Sequence, residues 1–252
     1  MADYSYIKDQ IKLPVELTVF DSIPSTNHYL STLEFSAITQ ICIAREQTQG
    51  KGQYNRTWLS QKDTSVLLSI RHVFASSIAL NGLSLVIGLA IIQTLAEFGI
   101  IDAKLKWPND VFVGDKKLAG ILIENSVQGE CQSVVIGLGL NYNLSDSFEC
   151  ISPWIDLSSI MPIQDMPAIE DLSVALINSI LTYCQLFSTH QLSYFLKSWE
   201  NTDYLSGKQV EVEINESIII GIVTGVNQQG ALLIEADNQV FEVYSSKQIR
   251  LV

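Results

Sequence analysis

Lys106-Trp107-Pro108-Asn109-Asp110-Val111-Phe112-Val113-Gly114-Asp115-Lys116-Lys117-Leu118-Ala119-Gly120-Ile121-Leu122-Ile123-Glu124 is the stretch that decides the fold. Proline has no N–H to give a sheet ladder, so Pro108 stops a strand over Lys104-Leu105-Lys106-Trp107. Val111 to Val113 and Lys117 to Glu124 read as two further strands around Gly114-Asp115-Lys116, a hairpin turn. The period of two sends Lys116 and Lys117 to opposite faces, which leaves Lys116 solvated. Ser133 to Gly139 supplies the next strand.

Working upstream, Leu83 to Ala96 is an apolar helix whose longest unbroken run, Leu85 to Ile92, is too short to span a bilayer. Ser65 to Ile70, Ile41 to Ala44 and Leu17 to Asp21 are short apolar strands. Ser22-Ile23-Pro24 ends the first of these in chain order, and Ser25 or Thr26 can cap a helix carrying Leu30 and Leu33. Downstream, Leu172, Leu176, Ile180 and Cys184 recur at helical spacing. Grouped strands with interspersed helices, without strict βαβ alternation, predict an α+β architecture: a mixed sheet packed with helices.

The pattern changes near Asp203 to Gly207. Val210, Val212 and Ile214 alternate with polar residues, and Ile218 to Val226, Ala231 to Ala236 and Val240 to Tyr244 follow at short intervals. This predicts a small β-barrel. The expected division is residues 1–202 and 203–252, with the boundary between Trp199 and Gly207.

A hydrophobic content of 47% with 17% charged residues describes a well-cored globular chain. The net charge of −12 opposes non-specific nucleic-acid binding, which needs clustered Lys and Arg. Cys42, Cys131, Cys150 and Cys184 show no C-x-x-C spacing, and Met1-Ala2-Asp3-Tyr4 lacks the features of a signal peptide. These features predict a cytoplasmic protein bound to neither DNA nor membrane. His28, His72 and His190 are too scattered for a structural zinc site.

Within this acidic chain, Gln47-Thr48-Gln49-Gly50-Lys51-Gly52-Gln53-Tyr54-Asn55-Arg56-Thr57-Trp58 concentrates two glycines and two cations. Glycine allows close backbone approach and N–H groups aimed at an anion, so the loop suits a phosphate-bearing ligand. Trp58 could anchor the loop or stack on a ring.

Lys106-Trp107-Pro108-Asn109-Asp110, Lys117-Leu118-Ala119-Gly120-Ile121-Leu122, Gly137-Leu138-Gly139-Leu140-Asn141 and the upstream Ser25-Thr26-Asn27, in this order and spacing, closely resemble the biotin–protein ligases. The resemblance runs from about Phe20 to the C-terminus. It implies a synthetase-like catalytic fold followed by an SH3-like barrel. The implied reaction uses ATP and Mg²⁺ to convert biotin into biotinyl-5′-AMP, then passes it to a lysine of a biotin carboxyl carrier domain. A homodimer through the main sheet is common in such enzymes, but no motif here encodes one. Only some sixteen residues precede the first strand, too few for a helix-turn-helix, so the short monofunctional form is expected.

The resemblance also assigns roles. Lys117 would contact the biotin carboxylate and the α-phosphate, and Asp110 would orient the acceptor lysine or help hold Mg²⁺. Ser25, Thr26, Asn27 and Gln47 would meet the ureido head of biotin. Gly137 and Gly139 would let its apolar bicycle approach a strand. Lys51, Gln53, Arg56, Trp58, Trp107, Asn109 and Asn141 would neighbour the nucleotide, with Asn109 and Asp110 on a loop aimed into the cleft. Gly50, Lys51, Gly52 and Gln53 would also contact biotin and form a lid that excludes water from the mixed anhydride, and Arg56 would join Lys117 and Asp110 as a catalytic residue. One departure stands out. Most members read Gly-Arg-Gly-Arg where this chain has Gly50-Lys51-Gly52-Gln53, so the lid is expected to hold its adenylate less tightly. The usual Gly-Glu before the last strand is replaced near Tyr244-Ser245-Ser246, so the C-terminal strands are expected to be mainly structural. A lipoate ligase shares the catalytic fold, and a non-catalytic biotin sensor would be favoured by loss of Lys117. Neither fits the motifs as well.

Overall fold

The computed structural model describes residues 6–144, 153–214 and 217–252. Met1-Ala2-Asp3-Tyr4 and Cys150 lie outside the described residues. In chain order the first strands are β1 (Val15–Phe20), β2 (Thr39–Ala44), β3 (Gly50–Lys51), β4 (Thr57–Trp58), β5 (Ser65–Ala75), β6 (Ala103–Lys106), β7 (Asp110–Val113), β8 (Lys116–Gln128) and β9 (Cys131–Asn141). Seven of them form one mixed sheet in the order β1-β2-β5-β9-β8-β7-β6. Only β1 and β2 run parallel, and β3 pairs with β4 apart from the sheet.

The helices are α1 (Ile7–Gln10), α2 (Thr26–Thr32), α3 (Leu83–Glu97), α4 (Ile169–His190) and α5 (Leu196–Thr202). Helices α3 and α4 cover one face of the sheet. There Ile41, Ile43, Val66, Leu68, Ile70, Ile136, Leu138 and Leu140 join the main core. Helix α4 is long and apolar enough to cross a membrane by length and composition. However, Leu172, Leu176, Ile177, Ile180 and Phe187 on it are buried in that core, as a core helix requires.

The other face carries α2, packed through Leu30 against Cys42 and Val135. Leu33 terminates this helix rather than lying within it. Buried Arg71 on β5 donates to the carbonyls of Leu30 (2.9 Å), Leu33 (2.9 Å) and Glu34. A cation at a helix C-terminus satisfies carbonyls that have no intrahelical partner and complements the helix dipole.

Strand extents exceed the expected ones where polarity hides the pattern. Strand β8 continues through exposed Glu124-Asn125-Ser126-Val127-Gln128, because its backbone pairs with β9 down to Gln128↔Cys131. The C-terminal strands β10 (Gln209–Ile214), β11 (Ser217–Val226), β12 (Leu232–Ala236), β13 (Gln239–Val243) and β14 (Ile249–Leu251) form an SH3-like antiparallel sheet in the order β13-β12-β11-β10-β14. Val210, Val212, Val223, Leu232 and Ile234 fill its inner side.

Candidate active site

The side-chain period of two divides the sheet between a core and a working surface. On the α2 side, cross-strand register lines up Cys42, Ser69, Gly137 and Leu122 in one row. The next row runs Ala44, Leu67, Gly139, Gly120, Asp110 and Lys106 across six strands. Gly137 and Gly139 therefore leave two notches on one strand. A Cβ at Gly137 would stand 2.2 Å from Asn27 Oδ1, and one at Gly139 would stand 2.3 Å from Trp58 Cε2. This revises the expectation that the glycines clear space for a ligand alone. Their notches receive the side chains of Asn27 and Trp58, which then form the surface a ligand would meet.

Asn27 belongs to a buried polar corner. Ser25 caps α2 by accepting from His28 N (3.4 Å). Gln47 Oε1 accepts from Thr26 N (2.8 Å) and Thr26 Oγ1 (3.1 Å). Asn27 Nδ2 donates to Glu124 Oε2 (2.8 Å). The Ser69 hydroxyl donates to Asn27 Oδ1 (2.6 Å) and lies 2.7 Å from Thr26 Oγ1. Ser25, Thr26, Asn27 and Gln47 are thus brought together as the motif reading requires.

The glycine loop forms one wall of a cleft of about 760 Å³, lined by residues 48–57 with Leu122 and Glu124. Pairing of Gly50 with Trp58 and of Lys51 with Thr57 closes it into a short ribbon. Its tip turns through Tyr54 and Asn55, both with positive φ, and Gly52 N donates to Arg56 O at 2.7 Å. The base is clamped by Arg45, whose Nε donates to Asp63 Oδ1 (2.6 Å) and whose Nη1 reaches Asp21 Oδ1 (2.7 Å). The hydrogen bond from Arg45 holds the Asp63 carboxyl below its ordinary range. Arg56 Nη2 donates to the backbone carbonyl of Lys247, so the loop is also tied to the C-terminal sheet.

Beside the glycine floor, Lys117 Nζ lies 2.6 Å from Asp110 Oδ1 and 5.5 Å from the Trp58 ring. The Lys117 backbone is fixed on both sides: its N–H donates to Pro153 O (3.1 Å), and its carbonyl accepts from Ile155 N (3.0 Å). Asn141 Nδ2 reaches the same Lys117 carbonyl (3.3 Å) and Ile155 O (3.0 Å), so its amide steadies the strand behind Lys117. Asn109 and Asp110 do not share a free loop as expected. Asn109 Nδ2 is engaged by Ile121 O (2.6 Å), and Asp110 opens β7. Trp107 is buried and donates to Gly230 O at 2.9 Å. With the Arg56 contact, this ties the C-terminal segment to the site through two backbone carbonyls.

The profile of the Biotin/lipoate A/B protein ligase family matches residues 19–141, and that of the Biotin protein ligase C terminal domain matches residues 205–248. The chain is 33% identical to the bifunctional ligase/repressor BirA of Escherichia coli (strain K12) over 226 residues, covering 88% of this chain and 70% of that protein. This chain belongs to the biotin–protein ligase family. The ligase is 28% identical over 228 residues to the biotin–[acetyl-CoA-carboxylase] ligase of Mycobacterium tuberculosis, covering 84% of this chain and 79% of that one. Its fold superposes on the biotin protein ligase from Aquifex aeolicus in complex with biotin and ATP. That match has a TM-score of 0.81 at 25% identity and covers 94% of this chain and 99% of the other. The activity is that of the family: ATP-dependent activation of biotin and its transfer to protein.

Three residues of the ligase site escaped the motif reading. Ser69 interrupts the apolar run Val66-Leu67-Leu68 to Ile70, and that polar residue at an inward position is its signal. Glu124 closes the Lys117-Leu118-Ala119-Gly120 strand without an assigned role, yet it accepts from Asn27. Lys106 begins the Trp107-Pro108-Asn109-Asp110 motif and is the direct cross-strand partner of Asp110.

Proposed function

We propose that both half-reactions run over the Asp110–Lys117 pair. The observation that carries this reading is the placement of Lys117 Nζ, 2.6 Å from Asp110, at the edge of the Gly120–Gly139 floor beneath Trp58. In the first half-reaction a biotin carboxylate oxygen bonds to the α-phosphorus of ATP, and the bond to the β-phosphate oxygen breaks. In the second, an acceptor lysine amine attacks the biotinyl carbonyl and AMP leaves. Negative charge gathers on oxygens at one place in both, and a fixed cation there stabilises both transition states. Lys117 serves as that cation, and its strand-bound backbone keeps it in position. Asp110 orients the incoming amine. Ser25, Thr26, Asn27 and Gln47 hold the ureido head, Gly137 and Gly139 face the bicycle, and the loop with Lys51, Gln53, Arg56 and Trp58 closes over the nucleotide. Trp107, Asn109 and Asn141 steady the wall next to it.

Among the described residues no group of three His, Cys, Asp or Glu side chains converges. A magnesium ion carried by phosphates needs only one or two carboxylates, and Asp110 fits as one. Magnesium, when bound, would neutralise phosphate oxygens. The acceptor in this reading is the carrier domain of a carboxylase, with biotin and ATP as substrates. The same proposal places the enzyme in the cytoplasm, where the free thiols of Cys42, Cys131 and Cys184 persist, and away from DNA and membranes. A homodimer would form through the main sheet, whose edge strand β1 is available. We divide the chain into a catalytic domain, 1–202, and a C-terminal domain, 203–252, a split supported by the second sheet beginning at Gln209.

Incubation with ATP, Mg²⁺ and either biotin or lipoate, followed by measurement of pyrophosphate release and label transfer to a carrier domain, tests this. Biotin-dependent label should appear, and Lys117→Ala should slow adenylation by about 10²–10³-fold. Transfer of lipoate instead would move the enzyme to the sister activity.

A further inference from the structure

The solvent side of β11 breaks the pattern that the rest of the C-terminal sheet keeps. Val210, Val212 and Val223 fill the inner side, so the period of two turns Ile218, Ile220 and Ile222 outward. They are 67%, 47% and 42% exposed, and Val240 on β13 is 60% exposed. Residues paired directly across strands share a face. The register sets Glu213 of β10 opposite Ile218 and Glu211 opposite Ile220. On the other flank Ile222 meets Glu235 of β12, which in turn meets Val240. Strand propensity does not require this arrangement, since threonine suits a strand as well and would leave no apolar surface in water.

The stripe of isoleucines is therefore edged by acid on both flanks. Arg250 Nη1 lies 3.4 Å from Glu211 Oε1, so that carboxylate has its partner within the sheet. Glu213 and Glu235 form no ion pair among the described residues. An exposed apolar patch rimmed by charge marks a surface that another molecule covers, and the sign of the rim restricts which. Nucleic acid and the anionic leaflet of a membrane are repelled by it. A second copy of this chain would bring the same acidic rim against its own, in a protein of net charge −12. The face also lies apart from the cleft, none of whose lining residues belongs to it. A partner seated here leaves the cleft open.

We infer that the outer face of the C-terminal sheet docks a protein whose contact surface is apolar at its centre and ringed by lysine or arginine. Ile218, Ile220 and Ile222 supply the burial that holds the partner. Glu213 and Glu235 select it, because a basic rim satisfies both carboxylates and an acidic one opposes them. The site does not depend on how the Asp110–Lys117 pair runs the reaction. It does lie close to the lid in the chain: β13 leads directly to Lys247, whose carbonyl Arg56 of the glycine loop holds.

The probe is a soluble β-hairpin peptide with a valine face rimmed by lysine, and its control is the same peptide rimmed by glutamate. Fluorescence anisotropy follows each peptide titrated with the intact chain, with an Ile220→Ser/Ile222→Ser variant and with a Glu213→Gln/Glu235→Gln variant. The lysine-rimmed peptide should bind the parent about tenfold more tightly than its control, and each double variant should lose about tenfold in affinity for it. Urea unfolding and biotin transfer should stay at parent values in both variants, since the replaced side chains face solvent away from the cleft. Equal binding of the two peptides overturns the proposal. So does lysine-rimmed binding that the serine variant leaves unchanged, which would reduce it to attraction by the net charge. A dimer in sedimentation equilibrium that the serine variant abolishes would assign the face to a second copy instead. Binding to phosphatidylserine vesicles that the same variant abolishes would assign it to a membrane. Either result overturns the proposal as well.

Discussion

The indole of Trp58 packs directly onto the backbone of Gly139, so closely that a Cβ at position 139 would stand 2.3 Å from Trp58 Cε2. The loop strand β4 is thereby seated on the central sheet through a single missing methyl group. Gly139→Ala should displace Trp58 and cost about 1–3 kcal/mol through overpacking. Urea unfolding reads the stability, and a change in biotin affinity reads the displaced ring. An alanine variant that unfolds like the parent and binds biotin equally well would show that the indole can move aside freely.

Ser69 joins Thr26 and Asn27 at the bottom of the polar corner. Replacing it with alanine removes the donor to Asn27 Oδ1 and leaves that buried oxygen unsatisfied. The expected destabilisation is about 1–3 kcal/mol. Because Asn27 would no longer be held, the KM for biotin should rise more than kcat falls. Equal loss in both would assign Ser69 to the fold rather than to the site.

The loop base should loosen in acid. Asp63 has its folded pKa depressed below 3.8, chiefly by the hydrogen bond from Arg45, and Asp21 is lowered in the same direction by Lys62. A depressed carboxylate contributes stability above its unfolded pKa and loses it as pH falls through the folded value. Hydrogen exchange at loop residues 46–62, corrected for intrinsic rate, should therefore rise as pH drops below about 3.8. Asp63→Asn should show the faster exchange already at neutral pH. If that variant exchanges like the parent at pH 7, the Arg45 clamp does not govern the loop.

Gln53 lines the cleft, at the position where the motif resemblance leads one to expect arginine. Gln53→Arg restores a planar, permanently charged donor at the lid. A charge-assisted contact of this sort should slow adenylate loss to solvent roughly tenfold. The decay of labelled biotinyl-adenylate on the purified enzyme, without acceptor, measures it directly. An unaltered decay rate would place adenylate retention elsewhere in the loop.

Much of this arrangement was legible in the chain because local rules fixed it. Pro108 ends β6 close to where it must, Gly114-Asp115 turns β7 into β8, and Ser25 caps α2. Asp110 reaches the working side of the sheet by alternation; Lys117 joins it through a register shift between Val111↔Ala119 and Phe112↔Lys117, and Ser25 to Asn27 and Gln47 arrive on α2 and the loop after β2. What stayed hidden depended on distant pairing. Nothing local announces that Gly139 is cut to fit Trp58, since the two meet only through loop closure. The C-terminal sheet reaches its place because the chain at Asp203 and Tyr204 bridges to Leu105, almost a hundred residues earlier. The polar end of β8 carries no alternation at all, and only its partner strand defines it.

The notches at Gly137 and Gly139 lie two residues apart on one strand, a separation of about 6.7 Å set by backbone geometry alone. One is filled by an amide and the other by an indole. On the proposed reading of the site, the strand acts as a gauge for how far the polar head of a substrate can stand from its ring. A cofactor with a longer ring system or a displaced head would miss one notch whatever the rest of the pocket did. In that reading, the spacing between the two notches is set by the repeat of a β-strand and not by the length of any side chain.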